Sequence, residues 1–313
     1  VNLDQLPTTK QIKNWKENLF LSENIPNQKN VIGILNSNEN IAYEHQEKDV
    51  LRYEYSNWLR SHGGNWNSRF SNSNNINKNN ISNLKLKWKY SSIKKKNINN
   101  EWKNNSQLNP IFLNGLIIFS TADRKIVAIN VETGKLSWSL QSMCRPGERG
   151  MLVDIDEFSD TNYLYLPACG KVFKINFNTG EVDRKFGNSG YVISDTKIAP
   201  FIHDEKLIAV SETISIYNKV SGKLIKNISI HDKKKNFIST PPWGGASYDI
   251  RKKLLFVTTS NPKPPNYGVN RPGSNSTSSA LVCVNLNTYK IEWIFQDVSH
   301  DLWDLDISSP PVI

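Results

Sequence analysis

The stretch KIVAINVETGKLSW, from Lys125 to Trp138, decides the fold. Val127, Ile129 and Val131 recur at every second position, the mark of a β-strand whose side chains alternate between two faces. Thr133 and Gly134 then signal a hairpin turn, because glycine accepts positive φ without steric cost. A second strand follows and closes on Trp138. The unit returns as KVFKINFNTGEVDRKF (Lys171 to Phe186), TISIYNKVSGKLIKNI (Thr213 to Ile228) and ALVCVNLNTYKIEWIF (Ala280 to Phe295). Further apolar strands precede these units, such as PIFLNGLIIFS from Pro110 and PFIHDEKLIAVS from Pro200. The turn glycines Gly134, Gly180 and Gly222 recur about every 40–50 residues, the period of a four-stranded propeller blade. A β-sandwich would not predict one hairpin signature four times over. The expected fold is all-β, a β-propeller.

Composition narrows the function classes. The 313 residues are 38% hydrophobic and include nine Trp, which describes a folded chain rather than a disordered one. The net charge of +10 is scattered among asparagines, and its densest run, Lys94 to Lys96, is short. That run lacks the aromatic interleaving of a base-stacking surface, so no nucleic-acid partner is expected. The three cysteines, Cys144, Cys169 and Cys283, form neither a dense disulfide framework nor a zinc spacing, and leave the redox compartment open. No run approaches the ~18 apolar residues that span a bilayer. A removed signal or a start inside a longer gene would each account for Val1 in first place.

Ahead of the repeats, residues 1–57 mix charged stretches with weak helical patches, Thr9 to Phe20 and Ala42 to Leu51. They are expected to form a small, partly helical N-terminal extension. From Trp58 onward the chain reads as propeller, 58–313, and LKLKWKY (Leu84 to Tyr90) reads as an alternating strand that opens or closes the first blade.

The segment WNSRFSNSNNINKNNISNLKLKWKY, the docking unit AINVETGKLSW and the C-terminal HDLWDLD followed by Pro310 and Pro311 together resemble one family. It is that of the pyrroloquinoline-quinone-dependent dehydrogenases, and the last motif is most similar to the glucose and quinate branch. The resemblance covers about Trp58 to Ile313. It implies an eight-bladed propeller, of which about four to five blades are expected here as an incomplete ring, and a chain truncated relative to a longer gene. It also implies quinone and Ca²⁺ as cofactors, a sugar, polyol or alcohol substrate, and a membrane quinone or cytochrome as electron acceptor. A periplasmic location follows from the same resemblance, with attachment to the inner membrane through a segment outside this chain.

The implied reaction moves a hydride from a carbinol carbon to a quinone, which requires a base, a cation and a platform for a flat cofactor. Asp304, after Trp303, matches the family's proton acceptor and also a metal ligand; Asp301 and Asp306 read as turn caps. Asn261, in VTTSNPKPP, matches an amide ligand, although an Asn-Pro pair is also a turn initiator. Glu212, in AVSE, resembles a carboxylate ligand, and Ca²⁺ favours such oxygen donors. Trp243, in PPWGGASYD, matches the tryptophan beneath the quinone, with Gly244 and Gly245 permitting close backbone approach. Arg149 matches an arginine beside the reactive quinone oxygens, and Gln107 falls where relatives place a glutamate against the cofactor.

Cys144 falls where alcohol-oxidising relatives carry the second of two adjacent cysteines, but Met143 precedes it. A vicinal disulfide is thereby excluded, and Cys144 reads as a small buried hydrophobe. His62, His203 and His300 lack ligand spacing; His300 reads equally as a residue of the substrate mouth or a hydrogen-bonded structural one. The competing function is a non-catalytic propeller scaffold or an inactive gene fragment. The joint presence of Gln107, Arg149, Trp243, Asn261 and Asp304 favours the dehydrogenase, since a scaffold needs none of them.

Overall fold

A computed structural model describes residues 57–71, 73–92, 107–155, 161–230, 242–262, 268–269, 273 and 275–313. The helical patches expected before residue 57 lie outside them. The chain divides into two compact units, one ending at Asn227 and also holding Val312 and Ile313, the other including Ile228–Pro311. Strands dominate, and no helix among the described residues is long and apolar enough to cross a membrane.

The first unit holds three antiparallel sheets of four strands, each in sequential order. Sheet one comprises β1 (Ile111–Leu113), β2 (Leu116–Ser120), β3 (Lys125–Asn130) and β4 (Leu136–Gln141). Sheet two comprises β5 (Leu152–Asp154), β6 (Tyr163–Ala168), β7 (Lys171–Asn176) and β8 (Tyr191–Ile193). Sheet three comprises β9 (Phe201–His203), β10 (Lys206–Val210), β11 (Thr213–Asn218) and β12 (Leu224–Ser229). The second unit holds the fourth sheet: β13 (Ala246–Asp249), β14 (Leu254–Thr258), β15 (Ala280–Asn285) and β16 (Lys290–Gln296). These are propeller blades, as the repeat predicts, and the regular structure of the described residues is almost entirely β.

Third strands are buried on both faces, as in β3 and β11, because each blade of the first unit packs on its neighbours. Ile111, Ile118, Ile126 and Ala128 of sheet one share a core with Val153, Leu164, Leu166 and Ile175 of sheet two. Tyr165, Val172 and Val192 of sheet two meet Leu207, Ala209 and Tyr217 of sheet three. Outer strands are mostly exposed. β4 buries Trp138, whose indole donates to the Phe177 carbonyl at 3.0 Å in the next blade.

The recurring turn is organised by an asparagine that the Thr-Gly signature does not reveal. Asn130 Oδ1 accepts from the backbone N–H of Glu132 and Thr133, and the Gly134 N–H returns to the Asn130 carbonyl. Asn176 and Asn218 do the same ahead of Gly180 and Gly222. Asn285 repeats the pattern in the fourth blade, where Tyr289 takes the positive φ that glycine takes elsewhere.

One expected strand is absent. Leu84 to Tyr90 adopts no assigned strand, and Leu86 is 83% exposed. A ladder needs a neighbouring strand, and none pairs with this segment among the described residues. Trp88 nonetheless docks as Trp138 does: its indole donates to Val131, and its ring fills the space over Gly134.

Trp58 to Asn67 stitches the first unit from within. Trp58 pairs with Phe112, Leu59 accepts from Val153, and Arg60 bridges to Leu152. The Arg60 guanidinium, 2% exposed, donates to the carbonyls of Pro200 and Ala199 and lies over the Phe201 ring. Carbonyl dipoles and the ring face thus stabilise a cation taken out of water.

Gly115 and Gly180 share φ +76°, but a Cβ at Gly180 would lie 2.6 Å from the Trp138 ring while one at Gly115 meets nothing within 4 Å. Gly115→Ala is therefore expected to cost about 1 kcal/mol from backbone strain alone. Gly180→Ala adds overpacking and is expected to cost roughly 2–4 kcal/mol. Urea midpoints compare the two; equal shifts would contradict tryptophan docking.

Candidate active site

The fourth blade brings three of the expected residues to one of its ends. Ala246 opens β13 and pairs with Val257 near the close of β14, so Trp243 and Asn261 extend from adjacent strands at the same end. Ala280 opens β15 and pairs with Gln296 at the close of β16, which brings Ser279 and the loop after residue 296 there as well. Sheet register alone thus gathers four separate pieces of chain.

Hydrogen bonds finish the arrangement. Asn261 is buried; its Nδ2 donates to Asp304 Oδ1 at 2.5 Å, and its Oδ1 accepts from the Ser279 hydroxyl at 2.8 Å. Asp306 Oδ1 accepts the Asn261 backbone N–H at 2.9 Å, and its Oδ2 accepts the Trp243 indole N–H. Asp301, also buried, accepts from the backbone of Trp303 at 2.8 Å and Leu305 at 2.7 Å. It folds the loop that presents Asp304. Asp304 has φ +61°, a left-handed conformation that aspartate tolerates better than most residues, and is exposed.

Asp301 is therefore the turn cap its sequence reading suggests. Asp306 is more than that, since one carboxylate joins two functional candidates. Burial pushes the Asp306 carboxyl up, the bonds from Trp243 and Asn261 oppose this, and the charges of Asp304 and Asp301 add smaller upward pushes. His300 is buried and donates from Nδ1 to the Gly273 carbonyl at 2.7 Å, which favours its structural reading. Gly244 and Gly245 do allow close approach, and the chain that approaches is Ile307 to Pro310. A Cβ on Gly244 would meet the Ile307 carbonyl at 2.2 Å, and one on Gly245 would meet Pro310.

The other three candidates belong to the first unit. Glu212 is half-buried in the two-residue connection between β10 and β11. Gln107 is exposed ahead of β1. Arg149 is half-buried, and its backbone N–H donates to the Lys197 carbonyl at 2.8 Å.

The loop carrying Arg149 corrects the reading of Cys144. Cys144 is bonded to Cys169, with Cα atoms 5.7 Å apart. The 25-residue separation is invisible as a motif; the pair joins the loop after β4 to the β6–β7 turn of the next sheet. The Gly147 N–H donates to Pro167 of the same β6–β7 hairpin at 2.7 Å, so this loop is pinned twice. Closing a loop of this length contributes about 3 kcal/mol by restricting the unfolded chain. Cys283 remains a buried thiol pushed up to about 12, chiefly by burial.

His62, which carries no sequence signal, sits in a cationic environment. Its pKa falls to about 4 through burial and then the charges of Arg69, Arg60 and Arg149. Asn109 Nδ2 lies 3.4 Å from its Nδ1.

The donor chemistry fits the groups that the family resemblance implies. Asn261 and Asp304 offer hard oxygens of the kind Ca²⁺ prefers, and Trp243 offers a flat, half-buried ring anchored by its N–H. Among the described residues no three His, Cys, Asp or Glu side chains converge as a metal cluster, so a cation site here would use carboxamide as well as carboxylate oxygen.

A propeller with this end-of-blade network belongs to a recognisable class. Residues 58–238 and 226–313 match the family described as "PQQ: Glucose/ethanol/alcohol dehydrogenase, beta-propeller domain", and the chain belongs to that family. It is 23% identical over 297 residues to the quinoprotein glucose dehydrogenase of Escherichia coli, covering 78% of this chain and 37% of that protein. It is 30% identical over 200 residues to the quinoprotein alcohol dehydrogenase PedH of Pseudomonas putida, covering 61% of this chain and 30% of that protein. The quinohemoprotein alcohol dehydrogenase of Comamonas testosteroni has a similar fold, with TM-score 0.66 and 16% identity over 84% of this chain and 44% of that one. The chain thus spans less than two fifths of the length of these two curated relatives.

The His62 shift has a measurable consequence. The unfolded imidazole titrates near 6.5 and the folded one near 4, so the unfolded chain takes up its proton first as pH falls. The contribution of His62 to stability is complete above pH 6.5 and drains away towards pH 4. After discounting for partial exposure, roughly 1–2 kcal/mol is at stake. Between these pH values, His62→Gln is expected to lose less stability than wild type in urea titrations. Parallel losses would show that His62 takes up its proton as readily in the folded chain as in the unfolded one.

Proposed function

We propose that this chain is part of a quinoprotein oxidoreductase that oxidises a sugar, polyol or alcohol hydroxyl by hydride transfer to pyrroloquinoline quinone. The observation that carries the reading is the single network joining Trp243, Asn261 and Asp304 through Asp306. A blade scaffold has no need of it.

In this reading Asp304 is the base. Its carboxylate is exposed to substrate and takes the hydroxyl proton, while the carbinol hydrogen leaves with its electron pair and the C–O bond becomes a carbonyl. Asn261 holds Asp304 in place from a buried position and would supply an oxygen to the metal. Asp304 would be its carboxylate ligand. Trp243 would lie against the cofactor ring. Bound there, quinone would accept the hydride at its C5 carbonyl and Ca²⁺ would polarise that carbonyl. The Cys144–Cys169 disulfide supports a periplasmic setting, because such bonds persist in oxidising compartments. Electrons would pass onward to a membrane quinone or a cytochrome.

Reconstitution tests this directly. Titrating the chain with quinone in the presence of Ca²⁺, followed by quinone absorbance, is expected to give saturable binding that Trp243→Ala weakens. Asp304→Asn is expected to retain bound quinone yet lose dye reduction by about 10²–10⁴-fold, the usual worth of a general base. Absence of quinone binding by wild type would sink the dehydrogenase reading.

A further inference from the structure

We propose that Asp306 is the positioning residue of this site: its carboxylate fixes the Trp243 ring through the indole N–H and couples it to the Asn261 backbone. The platform for a flat cofactor and the carboxamide beside the base are then held as one unit. The inference rests on the quinone-binding reading and extends it to a residue that need touch neither quinone nor substrate.

The geometry is specific. Asp306 is half-buried, and its two oxygens serve two different donors, Trp243 Nε1 on Oδ2 and the Asn261 N–H on Oδ1 at 2.9 Å. Those donors stand 63 and 45 positions away in sequence. An indole has one donor and no acceptor, so fastening its N–H selects one of the two flipped orientations of the ring. A carboxylate fastens it more firmly than a neutral acceptor would. From Asn261 the order continues outward to Asp304 and Ser279. Ile307 and Pro310, packed over Gly244 and Gly245, hold the Asp306 and Trp243 segments together from the other side. An asparagine at 306 keeps one acceptor oxygen but turns an amide N–H₂ towards the other donor, so it cannot serve both.

A double-mutant cycle isolates the bond. Trp243→Phe keeps a flat ring without the N–H, and Asp306→Asn removes the charged acceptor. In quinone titrations with Ca²⁺ present, each single variant is expected to weaken binding by about tenfold, the usual consequence of losing a hydrogen bond to a charged group. The double variant is expected to bind no worse than the weaker single one, because both remove the same interaction. Multiplying effects would overturn the proposal, as would wild-type affinity in Asp306→Asn. A loss of Ca²⁺ affinity in Asp306→Asn that is independent of Trp243 would make Asp306 a cation ligand instead, and overturn it too.

A second readout needs no cofactor. In chain labelled with ¹⁵N-tryptophan, the Trp243 indole resonance, identified by its loss in Trp243→Phe, is expected to lie downfield and to move upfield in Asp306→Asn. A resonance unmoved by that change refutes the anchor whatever the chain binds. Wild type that binds no quinone would sink the dehydrogenase reading and the cofactor role of Asp306 with it, while a shifted indole would still support the anchor. Should Asp306→Asn fail to fold, unchanged quinone affinity in Trp243→Phe would overturn the proposal and a tenfold loss would support it.

Discussion

A carboxylate taken partly out of water must find donors, and at one end of the fourth blade Asp306 finds two. One is a ring N–H before the first strand of the blade and the other a backbone N–H after the second. Segments far apart in sequence are thereby held in one arrangement that the blade register brings within reach but does not by itself fix. Asn261 passes the constraint to Asp304, and Asp301 shapes the loop from which Asp304 projects. The exposed Asp304 carboxylate, the buried Asn261 amide and the half-buried Trp243 ring owe their relation to these few bonds.

The same economy governs the first unit. Trp138 reaches past its own sheet and rests on a turn glycine in the next, and Trp88 rests likewise on Gly134, so a blade is secured where its own strands end. Inside, a segment with little regular structure passes three successive inner strands and anchors on Arg60. The first unit is thus held at both edges of its blades, by aromatic docking outside and by backbone pairing within.

The blade repeat was legible because period-two alternation and positive-φ turns are local properties of the chain. Gly134, Gly180 and Gly222 announce themselves wherever they fold. Leu84 to Tyr90 alternates just as well and makes no strand, since pairing depends on a neighbour that alternation cannot supply. Trp243, Asn261 and Asp304 could be singled out by motif resemblance. The part of Asp306 could not: nothing in its spacing distinguishes a turn cap from a carboxylate facing an indole. The Cys144–Cys169 bond was hidden for the same reason, since it joins a loop to a hairpin of the next blade.

The central claim is that Trp243, Asn261 and Asp304 form one cofactor-facing surface. A crystal structure of the chain grown with pyrroloquinoline quinone and Ca²⁺ tests it most directly. The account predicts the quinone ring stacked on the Trp243 indole, the cation in contact with the Asn261 carboxamide and Asp304, and the Asp306 bonds intact. Quinone seated away from Trp243, or a cation bound without Asn261 and Asp304, would contradict it.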